Sequence, residues 1–121
     1  MIRDTKSDPR TTAELFAATL EGEYDDQAPW DAVAALRLRA TPEVFELATR
    51  SCQSENPKAR ARGLDVLAQL GAGKPDSERP YLQDCVSTAI FHVKDEDVLV
   101  ARSAAYALAH LKTERDRKSV V

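Results

Sequence analysis

SENPKARARGLDVLAQL, from Ser54 to Leu70, returns 41 residues later without a gap as DEDVLVARSAAYALAHL, from Asp95 to Leu111. Asn56 stands opposite Asp97, Ala59 opposite Val100, Gly63 opposite Ala104, Leu67 opposite Leu108 and Leu70 opposite Leu111. Small and apolar positions match while polar positions vary, as expected for one supersecondary unit used twice. Asn and Asp are residues that cap a helix start, because their side chains accept from its free amides. Apolar residues then recur at helical spacing, so each stretch reads as a capped helix. A weaker copy lies upstream, with Asp25 in the cap position followed by Ala28, Ala32, Ala35 and Leu36.

Working outward, a partner helix is expected before each of these. Thr11 or Thr12 caps the first, which carries Leu15, Phe16, Ala18 and Leu20 and loosens near Gly22. Asp25 or Asp26 caps the second, with Pro29 in its first turn. Thr41-Pro42-Glu43 opens the third with a cap, a proline at the first helical position and an acid near the positive helix end. Ser54-Glu55-Asn56-Pro57 breaks it, and the fourth helix runs from about Pro57 to Leu70, with Gly71 ending it. Gly71 to Asp76 is linker-like, Pro80 opens the fifth helix, and Lys94 to Asp97 turns into the sixth, Val98 to Leu111. The charged tail from Lys112 is expected to fray.

Composition agrees with an all-α domain. Charged residues are 31% and hydrophobic ones 43%, a globular balance, whereas aromatics are only 6% and Ala and Leu dominate the apolar set. A chain of 121 residues fits one domain with a small core. No apolar run approaches the roughly 18 residues of a membrane span, and MIRDTKSDPRTT has no apolar segment of a secretory signal. A cytoplasmic location with no membrane contact is therefore expected. Net charge is −3, against a whole-surface nucleic-acid binder, yet residues 32–74 carry seven bases against four acids. Arg37, Arg39, Lys58, Arg60 and Arg62 are the only support for a nucleic-acid alternative.

The pattern resembles HEAT repeats, especially the short HEAT-like class of bilin lyases. The residues that carry the resemblance are Asn56-Pro57-Lys58-Ala59-Arg60, then Gly63, Val66 and Leu67, and in the third unit Asp97, Val100, Ala104, Ala107 and Leu108. The third unit departs with Ala101 where the family often has Arg, and the first has Pro29 there. The resemblance covers about residues 12–111. It implies an α-α superhelix, a solenoid of about three HEAT-type hairpins with six main helices. The units would be 12–40, 41–71 and 72–111, after a lead-in of 1–11 and before a charged tail of 112–121. Small residues at Ala32, Gly63 and Ala104 would let helices approach closely.

Chemistry-bearing motifs are sparse. Cys52 and Cys85 have neither disulfide-framework nor zinc spacing and read as buried thiols in a reduced compartment. His92 and His110 fall near the ends of the fifth and sixth helices, where a protonated imidazole favours the negative terminus. No nucleophile or orienting acid is spaced to make either catalytic. Gly71-Ala72-Gly73-Lys74 lacks phosphate-loop spacing, and Asp95-Glu96-Asp97 lacks calcium-loop spacing. No catalytic residue, cofactor or metal is expected.

What remains is surface. The resemblance implies that the second helix of each hairpin lines an inner face that binds extended partners. The expected face is Asp31, Ala34 and Leu38, then Lys58, Arg62, Asp65 and Gln69, then Leu99, Ser103, Tyr106 and His110. Arg62 and Tyr106 are the types that most often anchor interfaces, and Trp30 reads as a lid on the core. The function expected is a non-catalytic protein–protein scaffold or adaptor. The alternatives are nucleic-acid binding, an accessory role to a chromophore or cofactor lyase, and homodimerisation through an end of the stack.

Overall fold

A computed structural model of the chain describes residues 8–70 and 81–119, with side chains as far as Leu111. Six helices occur among the described residues: α1 (Thr12–Thr19), α2 (Gln27–Arg39), α3 (Pro42–Ser51), α4 (Pro57–Ala68), α5 (Leu82–His92) and α6 (Val98–Ser119). No strand occurs among the described residues. The fold is all-α, as the sequence reads. The linker from Gly71 and the opening of the fifth helix at Pro80 lie outside the described residues, as does most of the lead-in.

The start signals act through the atoms expected of them. Thr11 Oγ1 accepts from the Glu14 amide at 3.0 Å and Glu14 accepts from the Thr11 amide at 2.9 Å, a reciprocal capping box. Thr41 Oγ1 accepts from the Val44 amide at 3.2 Å. Asn56 Oδ1 accepts from the Lys58 amide and Asp97 Oδ1 from the Leu99 amide, both at 2.9 Å. The repeat extends one turn further back, since Ser54 Oγ takes the Asn56 amide as Asp95 Oδ1 takes that of Asp97. The first unit differs. Asp26 is the N-cap residue of α2 but makes no capping bond, and its Oδ2 instead accepts from the Glu23 amide.

The end of α6 differs from expectation, and the chain turns on left-handed residues after α1 and α2. α1 stops at Thr19, and Gly22, at a φ of 68°, turns the chain beyond it. α2 ends on Ala40, at a φ of 48°, where glycine is the usual choice. α6 runs past Lys112 to Ser119, because Lys112 to Lys118 holds good helix formers and no glycine or proline.

Helices pack in sequential pairs, α1 on α2, α3 on α4 and α5 on α6. α2 touches α4, α4 touches α6, and α1 touches α3. α4 lies between neighbours on several sides, and Ala59 and every residue from Ala61 to Ala68 are buried. The core joins Leu15, Leu36, Val44, Leu64, Leu67 and Leu111 into one cluster spanning the three pairs. Gly63 sets the α3–α4 distance. A Cβ there would lie 2.6 Å from the Ala48 carbonyl oxygen and 2.9 Å from Cys52 N and Sγ. Ala32 and Ala104 are wholly buried.

Candidate functional site

The burial of α4 carries two charged side chains inward. Arg62 and Asp65 are each 1% exposed. Arg62 Nε donates to the Thr19 carbonyl at 2.8 Å and Nη2 to the Tyr24 carbonyl at 2.7 Å, tying α4 to the α1–α2 turn. Its Nη1 lies 3.5 Å from Asp65 Oδ2. The guanidinium stacks 4.0 Å from the Tyr24 ring centre and 4.8 Å from that of Trp30, and these two rings meet edge to face. Asp65 accepts from the Tyr24 hydroxyl, whose oxygen is also 3.0 Å from Ser103 Oγ on α6. Arg37 closes the cluster, donating through Nε and Nη2 to the Asp65 carbonyl at 2.9 and 2.6 Å. Side chains from all three helical pairs therefore meet around Asp65.

Burial dominates the electrostatics of this cluster. It pushes the Asp65 carboxyl above its ordinary value, against the hydroxyls of Tyr24 and Ser103 and the cations Arg62 and Arg37. Burial, helped by the Asp65 charge and hydrogen bond, also raises the Tyr24 phenol. Arg37 is lowered by burial, although Tyr106 and Asp65 oppose the shift.

Over the cluster opens a groove of about 500 Å³. Tyr24 and Trp30 form one wall, Leu99, Ser103 and Tyr106 the other, and Asp65 lies in the floor. Asp25 and Arg102, both exposed, complete the lining from opposite sides of the chain. Beyond Tyr106 the surface is tied together. Gln69 Nε2 lies 3.4 Å from the Tyr106 hydroxyl and 3.3 Å from His110 Nδ1, and the Tyr106 and His110 rings are 4.4 Å apart.

The structure divides the expected face in two. Leu99, Tyr106, Gln69 and His110 are at least partly exposed on or beside the groove. Lys58 is half-buried and donates through Nζ to the carbonyls of Leu20 and Gly22 at 3.0 and 2.6 Å. Arg62, Asp65 and Ser103 are buried, which corrects the expectation that they point away from the core. The correction has a physical cause: α4 has neighbours on the side assigned to a partner, and Trp30 and Tyr24 cover Arg62. Trp30 packs against the core as a lid and also walls the groove. Tyr24, Asp25 and Arg102 join the site without having been expected there. The alternation of small residues marks helix contacts but does not reveal which turn folds over which helix.

The basic stretch of the middle region is turned inward. Arg39 Nη2 donates to the Asp8 and Arg10 carbonyls at 2.6 and 2.5 Å. Arg60 forms a two-pronged pair with Asp95, at 3.1 Å through both Nε and Nη2, and also donates to the Ser54 carbonyl. With Arg37, Lys58 and Arg62, all five bases hydrogen-bond within the chain.

A second cavity, of about 660 Å³, lies between the ends of α3 and α5 and includes Cys52, Arg60, Thr88, Phe91, His92 and Asp95. His92 is buried, its Nδ1 3.7 Å from Asp95 Oδ2. Burial lowers its pKa, with Arg60 assisting and Asp95 opposing, so the neutral ring is favoured over the protonated helix-end role. Cys52 is buried and its thiol is pushed up to about 12, far from a reactive thiolate. Among the described residues no three His, Cys, Asp or Glu side chains are grouped to hold a metal ion, and no helix is long and apolar enough to cross a membrane.

Comparison of the chain with protein-family models, with curated proteins and with solved structures finds no match.

Proposed function

We propose that this chain is a non-catalytic binding module, a short HEAT-like stack of three helical hairpins that holds a partner protein on the α2–α4–α6 face. The observation that carries the reading is the groove over Asp65. Its walls come from the first and third hairpins and its floor from the second. The side chains beneath it are fixed by hydrogen bonds, so the surface is organised before a partner arrives. Aromatic walls with a few polar groups are what an interface anchor requires. The pairing of helices, each pair packed on its neighbour, supports the stacked arrangement.

The test is a tagged pull-down from native lysate with mass spectrometry. Wild type is compared with a Leu99→Glu/Tyr106→Glu variant and with Arg50→Glu, which lies away from the groove. Arg62 is left unchanged, because it is buried and its removal would disturb the fold. A protein held by wild type and Arg50→Glu but lost from the groove variant, with circular dichroism unchanged, is the expected result. Equal recovery by all three would reject this face.

A second reading is association of copies through the third hairpin. Phe91, Val98 and Ile90 are 79%, 73% and 54% exposed, an unusual run for one hairpin. Light scattering across a concentration series tests it, and a constant monomer mass would remove it.

A further inference from the structure

We infer that the segment held by the groove is cationic, an extended basic stretch of another protein with an apolar side chain seated between Trp30 and Tyr106. This deepens the proposed binding function and rests on it. The argument begins with the hairpin turns. Lys58 is anchored on the carbonyls of Leu20 and Gly22, and Arg60 on Asp95 and on the carbonyls of Ser54 and Glu55. The first turns of α4 therefore gather all three hairpin turns, around residues 20–26, 52–56 and 93–97, at one edge of the molecule. In doing so they commit Lys58 to main-chain carbonyls and Arg60 to Asp95. The acids of that edge stay outside: Glu21, Glu23, Asp25, Asp26, Glu55 and Glu96 are all exposed, and none forms an ion pair among the described residues. Only Lys94 on this edge and Arg102 in the groove stand exposed against them. A chain that is close to neutral overall thus presents a strongly acidic margin.

The groove opens onto that margin. Asp25 belongs both to the acidic turn and to the groove lining, and Tyr24 beside it forms the wall. Tyr24 and Trp30 already receive the Arg62 guanidinium on their inner side, and Arg37 lies 6.0 Å from the Trp30 ring centre. The lining itself is largely apolar, through Leu99, Ala105 and the three rings. Charge complementarity thus selects the flanks of the bound segment, and shape selects its anchor. Arg102 is the one exposed base in the groove lining and opposes such a ligand, which makes it diagnostic.

Trp30 is the only tryptophan and stands in the groove wall, so its emission reports occupancy. The probes are three synthetic, fluorescein-labelled peptides free of tryptophan. One is Lys/Arg-rich with a central Leu-Leu pair, one has the same anchor with Glu in place of every base, and one keeps the bases with Ser for Leu. Binding is followed by label polarisation, and Trp30 emission is followed with unlabelled copies, both at low and high salt. The basic, anchored peptide should bind, shift Trp30 emission and weaken steeply with salt. Glu23→Lys/Asp25→Lys should weaken it by roughly tenfold or more, and Arg102→Glu should tighten it by about threefold, since rim charges act through steering and long-range attraction. If the acidic peptide shifts Trp30 and binds at least as tightly, or the charge reversals change nothing, the cationic assignment fails while the binding face stands. Equal binding by the Leu and Ser peptides would reject the anchor and reduce the contact to non-specific charge. If no peptide binds or moves Trp30, both this assignment and the groove as a peptide-binding face fall.

Discussion

Arg62 shows how one side chain can look like a contact residue and be an internal strut. It replaces water for two carbonyls at the end of α1 and in the turn after it, and its charge balances that of Asp65 at the centre of the cluster. Arg62→Met preserves much of the volume but leaves Asp65 buried without its nearest cation. Breaking a buried pair from one side costs about 3–5 kcal/mol, so the expected result is a large fall in the urea midpoint. Asp65→Asn, which removes the charge it balances, should recover part of that loss in the double variant. His92 makes a second prediction at this scale, and its sign follows from burial. Its folded-state pKa lies below the ordinary 6.5, so the unfolded chain takes up the proton first. Its contribution to stability is whole above about 6.5 and is lost as pH falls from there through the lowered value. Denaturation midpoints measured between pH 7.5 and 5 should decline in wild type and decline less in His92→Gln.

At the scale of elements, most of the local grammar was readable because it depends on neighbours in sequence. Thr11, Thr41, Asn56 and Asp97 all accept from amides two or three residues ahead, and proline follows two of them. The matched turns at Ser54–Asn56 and Asp95–Asp97 show that the 41-residue offset carries backbone chemistry as well as apolar spacing. The inner environment of α4 was not readable in the same way. Lys58, Arg62, Asp65 and Gln69 were expected together on the face that the resemblance assigns to a partner. Their partners, Thr19, Leu20, Gly22, Tyr24 and Tyr106, lie 36 to 43 residues away, where helical periodicity carries no information. The ends of α2 and α6 escaped for opposite reasons, an alanine taking a glycine's place and a charged tail that is itself helix-forming. Ala40 yields a prediction. At a φ of 48° its Cβ crowds the backbone, while its amide still closes the helix on the Leu36 carbonyl. Ala40→Gly removes a left-handed penalty of about 1–2 kcal/mol and adds an entropic cost of about 0.5–1 kcal/mol. A net gain of roughly 0.5 kcal/mol is expected, read as a small rise in the thermal midpoint with an unchanged helical spectrum.

Across the whole molecule the hydrogen-bonded cluster does what neighbour-to-neighbour packing alone does not. Helical pairs that touch only in sequence order are free to unfold piecemeal, since each interface depends on adjacent units. Tyr24 departs from that order: its hydroxyl meets Asp65 on the middle pair and Ser103 on the third, 79 residues away. Arg62 and Arg37 add ties from the middle to the first pair, and Arg60 one from the middle to the third. These bonds are sheltered from water, so each contributes more than a surface pair, and losing one leaves a buried polar atom exposed to a penalty of about 1–3 kcal/mol. The same atoms form the floor and one wall of the groove, so its width and the cohesion of the three pairs are one property. Urea unfolding of wild type should therefore be a single transition, with Trp30 emission, which reports the first pair, coinciding with helical ellipticity, which reports all of them. In Tyr24→Phe/Ser103→Ala the two signals should separate, with Trp30 moving at lower urea, and the double-mutant cycle should give a coupling of about 0.5–1.5 kcal/mol. Coincident curves in the double variant would mean that apolar packing through α4 alone makes the molecule cooperative. The groove would then owe its shape to the helices rather than to the bonds beneath it.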